Sequence, residues 1–199
     1  KVKYCFAKMY TLLGILITVA TSLCSNVSSK CEVSDAAEKV LPIVNVFNTS
    51  EPLWFYQKSS TSGNAPVTCI VLDMINISKS DYYAWQNESF RNGLRLQERC
   101  HGTFKNGTTE KLGMMNFSCD DTGSNALYEE MELMYADQNC SVFTVKVPSL
   151  AALLPHPTCR MYIADNAVDN GPTMNCSDFF NTNCTGKPAV FYNKTCRTL

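Results

Sequence analysis

Eleven cysteines in a chain of 199 residues constrain its fold more than any other feature. Disulfides persist only in oxidising compartments, so this content predicts a secreted domain held together by disulfide bonds. The spacing alone does not determine which cysteines pair. A zinc site is a poor alternative, because the chain has only two histidines and no Cys-x-x-Cys pair. We therefore expect disulfides, no metal ion and no cofactor.

Ten Asn-x-Ser/Thr sequons point to the same compartment. This motif is the acceptor for N-glycosylation, which places the asparagine on the surface of a secreted protein. In three of them, at Asn139, Asn175 and Asn183, the middle residue is a cysteine, so disulfide formation competes with glycosylation. The predicted glycosylation sites are Asn48, Asn76, Asn87, Asn106, Asn116 and Asn193.

The N-terminus is typical of a secretory signal peptide. Lys1, Lys3 and Lys8 precede an uncharged run from Met9 to Ala20, which is too short to span a bilayer. We predict a signal peptide over residues 1–24 and one domain over residues 25–199. The net charge of −1 gives no indication of binding to nucleic acid or to an acidic membrane surface.

Beyond the leader, short β-prone segments alternate with turn signals. Such a pattern predicts an all-β antiparallel sandwich or barrel, and eight strands suit a barrel around one small ligand. A helix should begin near Asp35, with Glu38 completing a capping box, and Pro42 should kink or end it. A second short helix follows at residues 176–180. The eight predicted strands are residues 53–56, 67–77, 82–90, 94–104, 111–118, 127–135, 142–147 and 160–164.

One motif resembles a known signature. Cys140-Ser141-Val142 is followed after 17 residues by Arg160-Met161-Tyr162, and after 13 more by Cys176. The tick salivary lipocalins that bind histamine and serotonin have Cys-Asp-aliphatic, Glu-Leu-aromatic and Cys at similar spacing. This resemblance, which extends from about Ser34 to Cys196, implies an eight-stranded antiparallel lipocalin barrel with a short N-terminal helix and a C-terminal helix packed outside. Ser141 and Arg160 stand where the family has its two acids.

The resemblance also implies three disulfides. Two recur in the family, from the second strand to the C-terminus and from the seventh strand to the helix, and a third ties the N-terminal segment to the helix region. An odd number of cysteines is then left over, so one is free, pairs with Cys24 or bridges two molecules. The implied pairs are Cys69–Cys196, Cys140–Cys176 and Cys31–Cys184, and the remainder are Cys100, Cys119 and Cys159.

Strand alternation predicts which side chains face the lumen, because successive residues point to opposite faces. Glycans must point outward, so glycans at Asn116 and Asn87 would turn Met115, Phe117 and Tyr82 inward and Trp85 outward. For any one of these residues, ordinary core packing is the alternative. The candidate ligand-binding residues are Arg160, Tyr162, Ser141, Glu129, Asp73, Met115, Phe117, Met131, Tyr135, Trp54 and Tyr56.

Among the candidate residues, Arg160 most clearly requires a partner of opposite charge. The family's acid at this position faces the pocket, so Arg160 and Tyr162 should face inward and Met161 outward. An arginine cannot shed its proton, so a buried one needs an anion. Glu129 or a ligand carboxylate can supply it, and the sequence leaves both open.

No constellation of catalytic residues is recognisable, so we do not expect an enzyme. The resemblance implies a secreted protein that sequesters a small host mediator in its barrel. The loss of two acids favours a hydrophobic or acidic lipid, such as a leukotriene, fatty acid or sterol. A biogenic amine is the alternative, with Glu129 or Asp73 as its carboxylate. A second alternative is an immunomodulator whose outer surface binds a host immune protein.

Overall fold

The computed structural model describes residues 40–60, 67–107, 112–119, 128–151 and 156–198. The predicted signal peptide, the helix start at residues 34–38 and the cysteines Cys5, Cys24 and Cys31 lie outside these ranges. Within them, no helix combines the length and the apolar character needed to cross a bilayer.

Nine antiparallel strands form a single sheet over the described residues. Their bounds are β1 Leu53–Ser60, β2 Val67–Ile77, β3 Asp81–Phe90, β4 Arg95–Lys105, β5 Met114–Ser118, β6 Glu129–Ala136, β7 Cys140–Lys146, β8 Thr158–Ala164 and β9 Lys187–Val190. The strands follow the order β2-β3-β4-β5-β6-β7-β8-β1-β9, and a second pairing of β1 with β2 closes the first eight into a barrel. This confirms the predicted eight-stranded antiparallel barrel.

Strand β1 has three neighbours. It pairs with β8 along its length, but with β2 only at Leu53 and Trp54. After a bulge between Phe55 and Gln57, residues 57–60 pair instead with β9. A bulge inserts one extra residue and reverses the alternation of the side chains that follow. From there on, β9 separates β1 from β2.

In the described part of the chain, two α-helices flank the barrel. Helix α1 spans Pro42–Phe47, so Pro42 is its first residue, whereas the sequence predicted that Pro42 would kink or end a helix that lies outside the described residues. The first position of a helix tolerates proline because its N–H would have no intrahelical partner. Helix α2 spans Met174–Asn183 and packs on the outside, as predicted for the C-terminal helix; the Thr173 hydroxyl caps it by accepting a hydrogen bond from the Cys176 N–H at 3.2 Å.

The buried residues form two clusters on the two sides of the sheet. We call the one inside the barrel the lumen cluster and the one between the barrel and α2 with the C-terminal segment the outer cluster. The lumen cluster comprises Ile43, Val44, Phe47, Leu53, Phe55, Leu72, Tyr82, Ala84, Cys100, Phe104, Met115, Phe117, Met131, Leu133, Phe143, Val145, Tyr162, Ala164 and Phe191. The outer cluster comprises Trp54, Cys69, Cys140, Val142, Cys159, Met161, Ile163, Val168, Cys176, Phe180, Tyr192 and Cys196.

Four disulfides connect the described residues. Cys69–Cys196 and Cys140–Cys176 are present as the resemblance implied, and Cys100–Cys119 joins β4 to the end of β5. The implied pair Cys31–Cys184 is wrong, because Cys184 is bonded to Cys159. Cys159 points outward from β8 beside the C-terminal end of α2, so the two ends of this helix are fastened to β7 and β8.

Candidate ligand-binding site

Aromatic side chains fill the end of the barrel that meets α1, which we call the α1 end. The Phe47 ring enters the lumen from the helix and lies 4.8 Å from the Tyr82 ring and 5.6 Å from the Phe143 ring, centroid to centroid. Met115 and Met131 are fully buried beneath it. Phe117 is also buried in the lumen cluster, so these three predicted lumen residues do face inward. Packed side chains therefore close the lumen at the α1 end.

The opposite end, here the distal end, carries charged side chains on the lumen face. The Arg160 guanidinium donates to both carboxylate oxygens of Glu129, through Nη1 at 2.6 Å and Nη2 at 2.5 Å. Their side chains retain 21% and 25% exposure, so the pair is largely but not completely removed from water. Burial by itself would lower the pKa of Arg160, but Glu129 and Tyr162 outweigh burial and raise it. Glu129 thus supplies the anion that the sequence required.

An aromatic stack runs beside this ion pair. The Phe55 ring stacks on Phe191 at 4.6 Å and on Tyr162 at 5.5 Å. Arg160 lies over the Phe55 ring at 5.5 Å, and the Lys58 Nζ lies over the Phe191 ring at 5.6 Å. Tyr162 and Arg160 therefore share the lumen face, while Met161 packs in the outer cluster, as alternation predicted.

Glu88 adds a further charge at the distal end. The Gln86 side-chain amide donates to the Glu88 carboxylate at 2.6 Å. Burial raises the pKa of Glu88, with Gln86 and Arg160 acting in the opposite direction. Glu88 lies on the same regular strand as Tyr82 and six residues beyond it, so continuing the alternation from Tyr82 would have identified Glu88 as a residue that faces inward.

Trp54 and Tyr56, both candidates from the sequence, lie on the outer face. The Trp54 indole N–H donates to Asp165 at 2.7 Å, and its ring meets Tyr192 at 5.1 Å. Tyr56 also stacks on Tyr192. The prediction is wrong because Phe55, between them, is the residue that faces inward. The bulge after Phe55 then turns Lys58 into the lumen, although regular alternation would have kept it outside with Trp54 and Tyr56.

Asp73 and Tyr135 also lie outside the lumen, contrary to the prediction. Asp73 shares the outer face of β2 with Cys69 and accepts a hydrogen bond from the Asn87 amide at 2.7 Å. Both faces of β2 carry apolar residues, so periodicity could not distinguish them. Tyr135 follows a bulge in β6 and stacks on Phe179 of α2, 4.9 Å away.

Ser141 is buried on the lumen face of β7. Ser141 pairs in register with Tyr162. This pair lies two residues along the strands from the Phe143–Arg160 pair, on the side nearer to α1. It lines a cavity of about 340 Å³ between α1 and the turn from β6 to β7, together with Asn45, Glu51 and Asp137. The two positions at which this chain lacks the family's acids are thus near neighbours in the barrel.

The predicted glycosylation sites differ in exposure. Asn87 and Asn116 are half-buried, and Asn87 lies on the outer face of the barrel, where its amide contacts Asp73 and Gln97. The other four predicted sites, Asn48, Asn76, Asn106 and Asn193, are exposed. Glycosylation at all six sites stays a prediction.

Within the described ranges no three His, Cys, Asp or Glu side chains come together as a metal site.

Comparison with known proteins agrees with this architecture. The family model described as tick histamine binding protein matches residues 35–198. No curated protein matches the sequence. The structure of Japanin from Rhipicephalus appendiculatus, bound to cholesterol, matches with 14% identity and a TM-score of 0.50, covering 73% of this chain and 95% of Japanin. Lobster apocrustacyanin A1 matches with 9% identity and a TM-score of 0.48, covering 78% of this chain and 85% of the other. At such identity, the match to Japanin shows the fold alone.

Proposed function

The chain belongs to the tick histamine-binding protein family, and we propose that it is a secreted salivary lipocalin that sequesters a small host mediator. The proposed ligand is a hydrophobic or acidic lipid, such as a leukotriene, a fatty acid or a sterol. Its removal would suppress host inflammation or immunity. In this proposal the protein is a binding protein without catalytic activity.

The observation that carries the choice of ligand is the ion pair of Arg160 with Glu129. A protonated amine in a lumen of low dielectric constant needs a carboxylate that no other cation occupies. Arg160 engages both oxygens of Glu129. Lys58 adds a second cation on the same face. The side of the lumen around Arg160 and Lys58 therefore favours neutral or acidic ligands over cations.

The apolar lining supports a lipid. Aromatic side chains and two methionines, Met115 and Met131, form most of the lumen cluster. Methionine is flexible and adapts its shape to neighbouring groups, so it suits the wall of a site that receives an aliphatic ligand. Japanin, whose structure was solved with cholesterol, supports the inclusion of sterols.

A biogenic amine is the second candidate, and Glu88 is the observation that favours it. This carboxylate faces the lumen, and an amine would stabilise its ionised form. Asp73, the other carboxylate considered for this role, lies on the outer face. Titration with histamine by calorimetry should show no sub-micromolar site. A tight stoichiometric site would favour the amine, and its loss in Glu88→Gln would identify the carboxylate.

Native mass spectrometry of the purified secreted protein tests the proposal. We expect an adduct with the mass of a lipid, released by organic extraction. If the protein is free of lipid and takes up none when exposed to fatty acids and sterols, lipid carriage is wrong. An immunomodulator that acts through its outer surface would then be the better explanation; the exposed indole of Trp85 on β3 is one apolar feature of that surface.

A further inference from the structure

Two cations but only one carboxylate lie around the Phe55–Phe191 stack; the other lumen carboxylate of the distal end, Glu88, accepts a hydrogen bond from Gln86 and influences Arg160. Arg160 lies over one ring and Lys58 over the other, so a cation flanks each side of the stack. Arg160 has a carboxylate partner in Glu129. Among the described residues, the Lys58 side chain has neither a hydrogen bond nor an ion pair, and its Nζ lies over the Phe191 ring.

Lys58 is held in this position by the backbone. It pairs in register with Arg160 on one side and with Ala189 on the other. Residues directly opposite each other in antiparallel strands have Cβ atoms about 5 Å apart, so the side chains of Lys58 and Arg160 are immediate neighbours. Two cations at this distance repel each other unless an anion lies between them.

Arg160 also has a hydrogen-bond donor without an acceptor among the described residues. Its Nε is buried and makes no hydrogen bond within the described part of the chain, although both Nη atoms are bound to Glu129. A buried donor without a partner loses the hydrogen bond it would have made to water. Lys58 and Arg160 thus present two unsatisfied cationic donors on one patch of the lumen face.

We propose that Lys58 and the Nε of Arg160 form an anion-binding site whose ligand is the carboxylate of a fatty-acid-like amphiphile. This inference rests on the proposed lipid-binding function and specifies the headgroup and the residues that receive it. The carboxylate accepts hydrogen bonds from the ammonium and from the guanidinium, and the hydrocarbon chain lies along Phe55, Phe191 and the lumen wall. Charge-assisted hydrogen bonds of this kind are stronger than neutral ones.

The electrostatics of Lys58 agree with this assignment. Burial lowers the pKa of Lys58, Arg160 lowers it further, and Glu129 partly opposes both. An anion bound beside Lys58 would oppose both of the effects that disfavour the ammonium, because an opposite charge nearby favours the charged form. A neutral ligand without an acceptor at this position would leave the Lys58 ammonium and the Arg160 Nε without a partner.

The test compares oleate with oleyl alcohol, which differ only in the headgroup, and includes acetate as a carboxylate without a chain. Binding to delipidated protein is measured by calorimetry for the wild type, Lys58→Met and Lys58→Arg. Lys146→Met is the matched control, because Lys146 is exposed on the outer face at the same end of the barrel. Circular dichroism and the melting temperature check that each variant is folded.

We expect the wild type to bind oleate about tenfold or more tightly than oleyl alcohol, and acetate far more weakly than either. Lys58→Met should lose this preference while its affinity for the alcohol is unchanged, and Lys58→Arg and Lys146→Met should keep it. If Lys58→Met binds oleate as the wild type does, the anion site is wrong but lipid carriage stands. If the wild type binds neither oleate nor the alcohol, both the site and the proposed lipid ligand are wrong.

Discussion

The two ends of the barrel differ in composition, although the same strands run through both. At the α1 end, Phe47 and the surrounding aromatic rings fill the lumen and leave the methionines beneath them without exposure. At the distal end, the same faces of the strands carry Lys58, Glu88, Glu129 and Arg160, all of which keep partial contact with water. One end resembles a protein core, and the other resembles a binding site.

This difference indicates a division of roles along the barrel axis. Apolar groups removed from water stabilise the fold in proportion to their buried area. Charged groups that are partly buried cost stability unless they are paired, as Arg160 is with Glu129. Substitutions at the α1 end should therefore cost more stability than substitutions of the charged residues at the distal end.

The largest effect on stability should come from the disulfide Cys69–Cys196, which links β2 to the chain beyond β9. It closes a loop with a sequence separation of 127, for which the chain-entropy model gives roughly 5 kcal/mol. Urea denaturation should show similar losses for Cys69→Ala and Cys196→Ala and little further loss in the double variant. Cys100→Ala with Cys119→Ala, which opens a loop of separation 19, should cost about 3 kcal/mol. Full additivity of the first two losses would contradict the pairing.

Phe47→Ala should be the most damaging single substitution in the lumen. Its ring is fully buried against Tyr82, Phe104 and Phe143, so truncation leaves a cavity and should lower the free energy of unfolding by about 4 kcal/mol. Phe179→Ala, which removes a half-buried ring on the outside, should cost clearly less when measured in the same denaturation experiment. Equal losses of unfolding free energy would show that packing at the α1 end contributes no more to stability than packing on the outside of the barrel.

Glu129→Gln should have an intermediate effect, because it leaves Arg160 without its carboxylate. Breaking a fully buried pair costs more, but the side chains of this one are 21% and 25% exposed, so we expect a loss of about 2 kcal/mol. The neighbouring Glu130→Gln, on the outer face of the same strand, is the control and should change the unfolding free energy by less than about 0.5 kcal/mol. An unchanged stability in Glu129→Gln would show that the pair contributes nothing to the fold.

The smallest effect should come from Glu88→Gln and should depend on pH. Burial raises the pKa of Glu88 above its ordinary value of 4.5, so the folded protein binds a proton that the unfolded chain has already released. The stability that this group contributes is present at low pH and is lost as the pH rises above 4.5 through the folded-state pKa. Asp73, whose pKa is also raised by burial, adds a change of the same sign.

Glu88→Gln should therefore be slightly more stable than the wild type at neutral pH and lose the advantage in acid. Thermal unfolding at a series of pH values measures this difference. A difference that does not vary with pH would show that Glu88 is not held in a partly desolvated position, and the contrast between the two barrel ends would be weaker.

The sequence by itself determined the eight strands of the barrel and much of the inward-facing set, but not the ninth strand. Alternation placed Met115, Phe117 and Tyr162 in the lumen and Trp85 outside, because each lies on a regular strand where the period of two is a local property. The need of a buried arginine for an anion made Glu129 one of two possible partners for Arg160, and the structure contains that pair.

Only the tertiary structure decided the remainder. Trp54 and Tyr56 lie on the face opposite to the predicted one, because Phe55 faces inward, and Lys58 faces the lumen only because a bulge follows Phe55. Cys184 bonds to Cys159 because the C-terminal end of α2 lies beside β8, a placement that no spacing reveals. The alternation of side chains along a strand depends only on neighbouring residues. Bulges and disulfide partners depend on segments far apart in the chain, and these meet only when the barrel closes.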